Sequence, residues 1–315
     1  QLAAVAQAVP FFARRILLAP AGQGVLGRLL KRRPAVAVYG VEADPEQARV
    51  ARLSLDGVTA IHPAQAFPDV AFELGLFSAP PSRELFEAVV PALAPLAQLC
   101  AVLPASGDAD TLHPVARAFG DMASAAGWPL YRKTAVDDDL TLLVCVRENY
   151  NPLEHAHQYF HAGRPESCYE VLEQIPDAYL DAPEVLAAVC EERELSLLAW
   201  LKRNPDLDPL EAFVKAQQLF YRVVAAAPEH TQSYQVHAEF WRFLGDTHMA
   251  GRILRSFQHA HPHPEIEKQL AALPAAPAAR HTCTPPAADP DYSPRVLFVT
   301  NPRYHYGLDV LYDGL

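Results

Sequence analysis

What this 315-residue chain lacks narrows its function before any motif is read. It has five cysteines (Cys100, Cys145, Cys168, Cys190 and Cys283), widely spaced, odd in number and without a C-x-x-C pair. That argues against a structural zinc site or a disulfide framework, and it suits a reducing cytoplasm, the location expected here. Basic charge is short as well. Lys and Arg number 26 against 37 Asp and Glu, a formal net charge of −11. A phosphate-tracking surface needs clustered cations, so nucleic acid is not an expected partner. No uninterrupted membrane span is present either. The one charge-free stretch of that length, Ala88 to Ala105, contains Pro91, Pro95, Pro104 and Gln98. A helix followed by a buried strand over Leu99–Leu103 accounts for it better. No secretory signal pattern is visible.

What is present begins with Ile16 to Glu42, ILLAPAGQGVLGRLLKRRPAVAVYGVE. An apolar run meets Gly22, Gly24 and Gly27, a helix-forming segment follows, and a second apolar run closes on Glu42. That order is strand, tight turn, helix, strand, acid, the front of a nucleotide-binding βαβ unit. Glycine lets a backbone approach a ligand closely, and a helix N-terminus offers unpaired N–H groups. An acid at the end of the second strand can accept both hydroxyls of a ribose. Leu18, however, stands where many such folds carry an acid, and Pro20 where they carry the first glycine.

Half of the chain is hydrophobic, enough for roughly two domains of ordinary size. Up to Val146, apolar runs alternate with helical stretches such as Pro45–Leu55 and Arg83–Leu93. The strands expected are Arg15–Ala19, Val36–Val41, Val58–Ile61, Leu74–Ser78, Leu99–Leu103, Leu130–Val136 and Leu140–Val146. The pattern predicts an α/β domain over residues 1–149: a doubly wound, mostly parallel seven-stranded sheet. Only Asp137, Asp138 and Asp139 separate the last two strands, too few for a crossover, so these form a terminal antiparallel hairpin.

From residue 150 to 273 helical periodicity takes over, predicting an all-α domain. Pro228 and Pro262 lie 34 residues apart. Between them Ala238, Trp241, Gly245-Asp246, Ala250, Leu254 and Phe257 fall where two helices of a helix–turn–helix unit interlock. Ala156 to Leu172 repeats part of that logic, whereas Trp200 to Pro209 departs from it. Residues 274–294 read as a Pro/Ala linker. Residues 295–315 read as one strand and the start of a helix, the opening of a further α/β domain in a longer protein.

Three resemblances follow from these residues. Arg15 to Arg147, with its closing hairpin, resembles the class I S-adenosylmethionine-dependent methyltransferase fold. The matched positions are Gly22 and Gly24 in the cofactor loop and Glu42 as the ribose acid, within VYGVEADPEQARVAR. The resemblance implies S-adenosylmethionine as cofactor, with no metal. Ala64 stands near the position of an acid that would contact the adenine amino group. Ser78-Ala79-Pro80-Pro81-Ser82 lacks the polar acceptor and stacking ring of amino-methylating members. The 34-residue unit resembles the tetratricopeptide repeat, which implies a protein partner bound through the helical domain. RVLFVTNPRYHYGLDVLYDGL resembles the start of a GT-B glycosyltransferase of the spore-maturation-related kind, which implies a role in glycosyl transfer for the larger protein.

Two functions of different class remain. One is a methyltransferase-fold module that is no longer catalytic, joined to a helical interaction domain. The other is an active methyltransferase on a small-molecule or glycan acceptor, for which no catalytic base stands out. The glycine loop reads as a cofactor contact or as a turn the fold needs. Glu42 reads as a ribose acceptor or as an exposed strand-end acid. His155, His157 and His161, like His259, His261 and His263, lack ligand geometry and read as surface or core residues. Tyr159, Phe160, Phe240 and Trp241 read as core aromatics.

Overall fold

The apolar runs of the first half become the strands of one sheet. In a computed structural model describing residues 1–60, 62–106 and 111–273, they are β1 (Arg15–Ala19), β2 (Ala37–Val41), β3 (Gly57–Thr59), β4 (Phe72–Phe77), β5 (Leu93–Pro104), β6 (Leu130–Ala135) and β7 (Leu140–Cys145). Their order across the sheet is β3-β2-β1-β4-β5-β7-β6. The first five pair in parallel; β7 runs antiparallel to β5 and β6. Helices α1 (Leu2–Ala8), α2 (Val25–Leu30), α3 (Pro45–Ala51), α4 (Pro63–Ala66), α5 (Arg83–Val89) and α6 (Pro114–Ala125) accompany the sheet. A central parallel strand must be apolar on both faces. In β1, Ile16 and Leu18 enter one hydrophobic core while Leu17 and Ala19 enter the other.

Two segments differ from expectation. The helix expected over Arg83–Leu93 ends at Val89 and passes through a single 3₁₀ turn into β5 at Leu93. Pro91 cannot extend a helix, and Pro95 has no N–H for a ladder. The strand absorbs it in an irregularity, where pairing with β4 jumps from Phe72–Leu93 to Leu74–Gln98. The second is α1, a seven-residue helix that periodicity did not suggest.

After Asn151 the described residues hold helices and no strand: α7 (Pro152–His161), α8 (Pro165–Glu173), a 3₁₀ turn (Asp177–Leu180), α9 (Pro183–Arg203), α10 (Pro209–Ala226), α11 (Thr231–Phe243), α12 (Thr247–Ala260) and α13 (Pro264–Ala272). Proline occupies the first turn of α7, α8, α9 and α13, where its missing N–H costs nothing. Asn151 caps α7 by accepting from Leu153 and Glu154 N–H, and Asp246 caps α12 by accepting from Met249 N–H. Gly245, at φ +86°, turns α11 into α12. There Ala238, Ala250, Leu254 and Phe257 are buried as expected, and Tyr234 meets Phe257 at 4.6 Å between ring centroids. α7 and α8 pair in the same manner, turned at Gly163 with φ +71°. The departure at Trp200 belongs to α9, a 21-residue helix that ends just before Pro205.

Sheet and helices share their interior. One apolar cluster runs from Val5, Ile16 and Leu142 through Tyr150 and Ala156 to Leu254 and Ile266. Polar groups cross the same joint. Gln98 Nε2 donates to Tyr150 Oη at 3.4 Å, and that hydroxyl bonds His155 Nδ1 at 2.8 Å. His155 Nε2 then reaches Tyr159 Oη at 3.2 Å. Arg164 pairs with Glu73 at 3.3 Å and donates to the Phe12 carbonyl. Residues 1–273 accordingly form one compact unit. The linker and the strand–helix start expected over residues 274–315, with Cys283, lie outside the described residues.

Candidate functional site

The sequence places its candidate site where β1 and β2 end, and the structure brings Gly22, Gly24 and Glu42 together there. Ala21 N–H donates to the Val41 carbonyl at 2.8 Å, and Gly24 N–H donates to Ala21 at 3.0 Å. Gly22 and Gly24 take φ of +54° and +77°, which glycine adopts at no steric cost. Gly24 is also pressed on α3: a Cβ there would lie 2.7 Å from Ser54 Oγ and 3.2 Å from Ala51 Cα. Ala21 lies against β2, 2.7 Å from where a Cβ on Gly40 would sit. The helix after the loop is short, with six residues in α2.

Glu42 is buried, 7% exposed, which overturns the exposed strand-end reading. Its Oε2 accepts Gly22 N–H at 2.7 Å and its Oε1 accepts Asp44 N–H at 3.0 Å. Asp44 in turn caps α3 by accepting from Glu46 and Gln47 N–H. A ribose diol reaching Glu42 in this arrangement would have to share or displace those two backbone donors. Leu18, in the acid's usual place, is fully buried in the sheet. Ala64 is exposed on α4. Ser78 Oγ donates to the Pro20 carbonyl at 2.8 Å, tying the glycine loop to the end of β4, and Ser82 caps α5 through Leu85 N–H. The tie through Ser78 was missed in the sequence, where nothing distinguishes it from other strand-end serines.

The histidines resolve into separate roles. His155 sits between Tyr150 and Tyr159, and burial with Arg164 nearby holds it down to about 4, so it is neutral at physiological pH. His157 pairs with Glu192 at 2.7 Å. Among the described residues no group of three His, Cys, Asp or Glu side chains could hold a metal ion, and no helix is long and apolar enough to cross a membrane. Tyr159 and Phe240 are buried, with Phe160 and Trp241 packed at the edges of the cores.

The decisive feature is the sheet itself, five parallel strands closed by an antiparallel β7 inserted between β5 and β6. The fold is of the class I methyltransferase type. No family model matches the chain, and no curated protein matches it. Several solved structures do. A SAM-dependent methyltransferase from Aquifex aeolicus is 14% identical, covering 42% of this chain and 82% of that one at a TM-score of 0.34. A TehB-like SAM-dependent methyltransferase from Corynebacterium glutamicum is 15% identical, covering 46% and 86% at 0.34. Fibrillarin from Aeropyrum pernix, solved with natively bound S-adenosyl-L-methionine, is 12% identical, covering 46% and 73% at 0.37. Strand order and direction, rather than these overlays, carry the fold assignment.

Proposed function

We propose that this chain is a methyltransferase-fold module whose adenosyl site has closed on itself and which acts as a non-catalytic component through its helical region. Glu42 carries the reading. Both of its carboxylate oxygens accept backbone N–H groups of the surrounding loops, and little of it reaches solvent. Charge-assisted bonds of that kind are among the stronger ones in a protein, so a ribose competes at a disadvantage. Leu18 and Pro20 point the same way, since neither offers the cofactor an acceptor or a free backbone donor. The paired helices after Asn151 offer surfaces for a protein partner. The resemblance of residues 295–315 supports a place in a larger protein concerned with glycosyl transfer, and the free cysteines support a cytoplasmic location.

The second reading, an active S-adenosylmethionine-dependent methyltransferase on a small-molecule or glycan acceptor, is favoured by one observation. Gly22, Gly24 and Glu42 converge on the end of β1, with Gly22 and Glu42 at hydrogen-bond distance. Calorimetry with S-adenosylmethionine and S-adenosylhomocysteine separates the two. The closed site predicts no saturable heat at millimolar ligand. Saturable binding that weakens about ten- to a hundredfold on Glu42→Gln, in a variant with unchanged circular dichroism, would establish the enzyme-like site instead.

A further inference from the structure

The structure holds a cleft that no motif announces. About 870 Å³ of space opens between α8, α9 and the segment from Leu207 into α10, with Phe11 and Pro34 at its border. That volume lies within the range of small-molecule sites. One wall is aromatic and apolar: Tyr169 and Trp200 lie 5.9 Å apart between ring centroids, continued by Leu197 and Leu201. The charges around it are unevenly committed. Arg203 donates to the Gly163 carbonyl at 2.7 Å, and Lys215 pairs with Glu173 at 3.4 Å. Glu166 pairs with Arg14 at 3.0 Å. Glu170 differs. Its Oε1 accepts the Phe11 N–H and the Gln174 amide, it makes no ion pair among the described residues, and Oε2 accepts no hydrogen bond from them.

We propose that this cleft binds a small molecule joining an apolar or aromatic body to one ammonium group, the ammonium docking on Glu170 and the body on Tyr169 and Trp200. A carboxylate beside an aromatic wall suits such a ligand twice over. The ammonium gains a charge-assisted hydrogen bond, and the aromatic body packs on the Tyr169–Trp200 wall. An anionic ligand meets Glu170, and Arg203 is the lining cation that no carboxylate among the described residues neutralises, held instead on the Gly163 carbonyl. Burial already raises Glu170, up to about 7, against the Phe11 N–H and the charges of Arg33 and Arg132; Glu173 adds to the rise. An ammonium would relieve that burden. The site is separate from the rim at Glu42 and neither requires nor excludes an adenosyl ligand there.

Calorimetry on the intact chain at pH 8 tests it with tryptamine, 3-ethylindole and indole-3-propionate, which share a ring and differ in charge. The expected result is saturable tryptamine binding at least tenfold tighter than that of 3-ethylindole, with none for the propionate. Glu170→Gln should reduce the ammonium preference below threefold, while Trp200→Ala should weaken both binders by a similar factor. In the unsubstituted protein, tryptamine affinity should rise from pH 6 to pH 8 as Glu170 ionises, and 3-ethylindole affinity should not. That keeps the test open if a variant misfolds. No saturable tryptamine heat at 10 mM, on the order of the weakest useful affinity, or a preference that survives Glu170→Gln, overturns the proposal.

Discussion

The sheet region and the helical region treat their buried carboxylates in opposite ways. At the ends of β1 and β2 the backbone turns away from the ladder, so N–H groups are free, and Glu42 takes two of them. Helix interiors spend their backbone donors on themselves, which forces a carboxylate to find other partners. Glu194, fully buried in α9, uses His237 Nδ1 at 2.8 Å, and its Oε2 has no partner. Glu170, on α8, borrows the Phe11 N–H from a neighbouring loop on Oε1 and lines the cleft. A motif-bearing carboxylate can therefore be structurally consumed, while one without a motif stays available.

The hardest strike at this contrast is His237→Ala. It leaves Glu194 charged or protonated without its partner in a site 1% exposed, and breaking a buried pair costs about 3–5 kcal/mol. Urea unfolding should show that loss, and a change under 1 kcal/mol would mean the pair is not what satisfies Glu194. Glu42→Ala should follow, at about 1–3 kcal/mol, because two backbone N–H groups in part-buried loops lose their acceptor. If stability were unaffected and adenosyl affinity alone changed, the rim would be a ligand site and not a closed one.

Gly24→Ala should cost about 1–3 kcal/mol through its left-handed φ and the contact with Ser54 and Ala51. A melting temperature equal to the parent's would show that the loop opens readily from α3. The last effect sharpens the comparison by its sign. Glu170 ionises at about 7 when folded against an ordinary 4.5, so the folded state holds its proton longer. Between those values the folded chain binds more protons than the unfolded one, and this group's contribution to stability falls as pH rises. Glu170→Gln removes that slope. Relative to the parent, the variant should gain about 2–3 kcal/mol from pH 5 to pH 8 and little more above it. A gain as pH falls would reverse the assignment.

Much of the fold was legible because its causes are local. Parallel strands buried on both faces must be continuous apolar runs, and six of the seven lay within about two residues of their expected bounds. β5 was misplaced at its start because Pro91 and Pro95 speak against a helix and a regular strand alike. The helical hairpin at Gly245 was legible from small residues at the crossing. Phe12, Glu73 and Arg164, which tie sheet to helices, gave no signal, since their partners are 59 to 152 residues away.

The composition and period of this chain by themselves determined that an α/β sheet precedes a helical region and that glycines and an acid meet at the end of β1. Those features follow from burial and backbone sterics within a few residues. Only the tertiary structure decided what the acids do. Glu42 became a bracket for its own loop because the loop's amides came to lie at 2.7 and 3.0 Å from it. Glu170 and its chain neighbour Tyr169 came to line one cleft with Trp200 because α8 and α9 pack side by side, a proximity to Trp200 set by core packing and not by spacing along the chain.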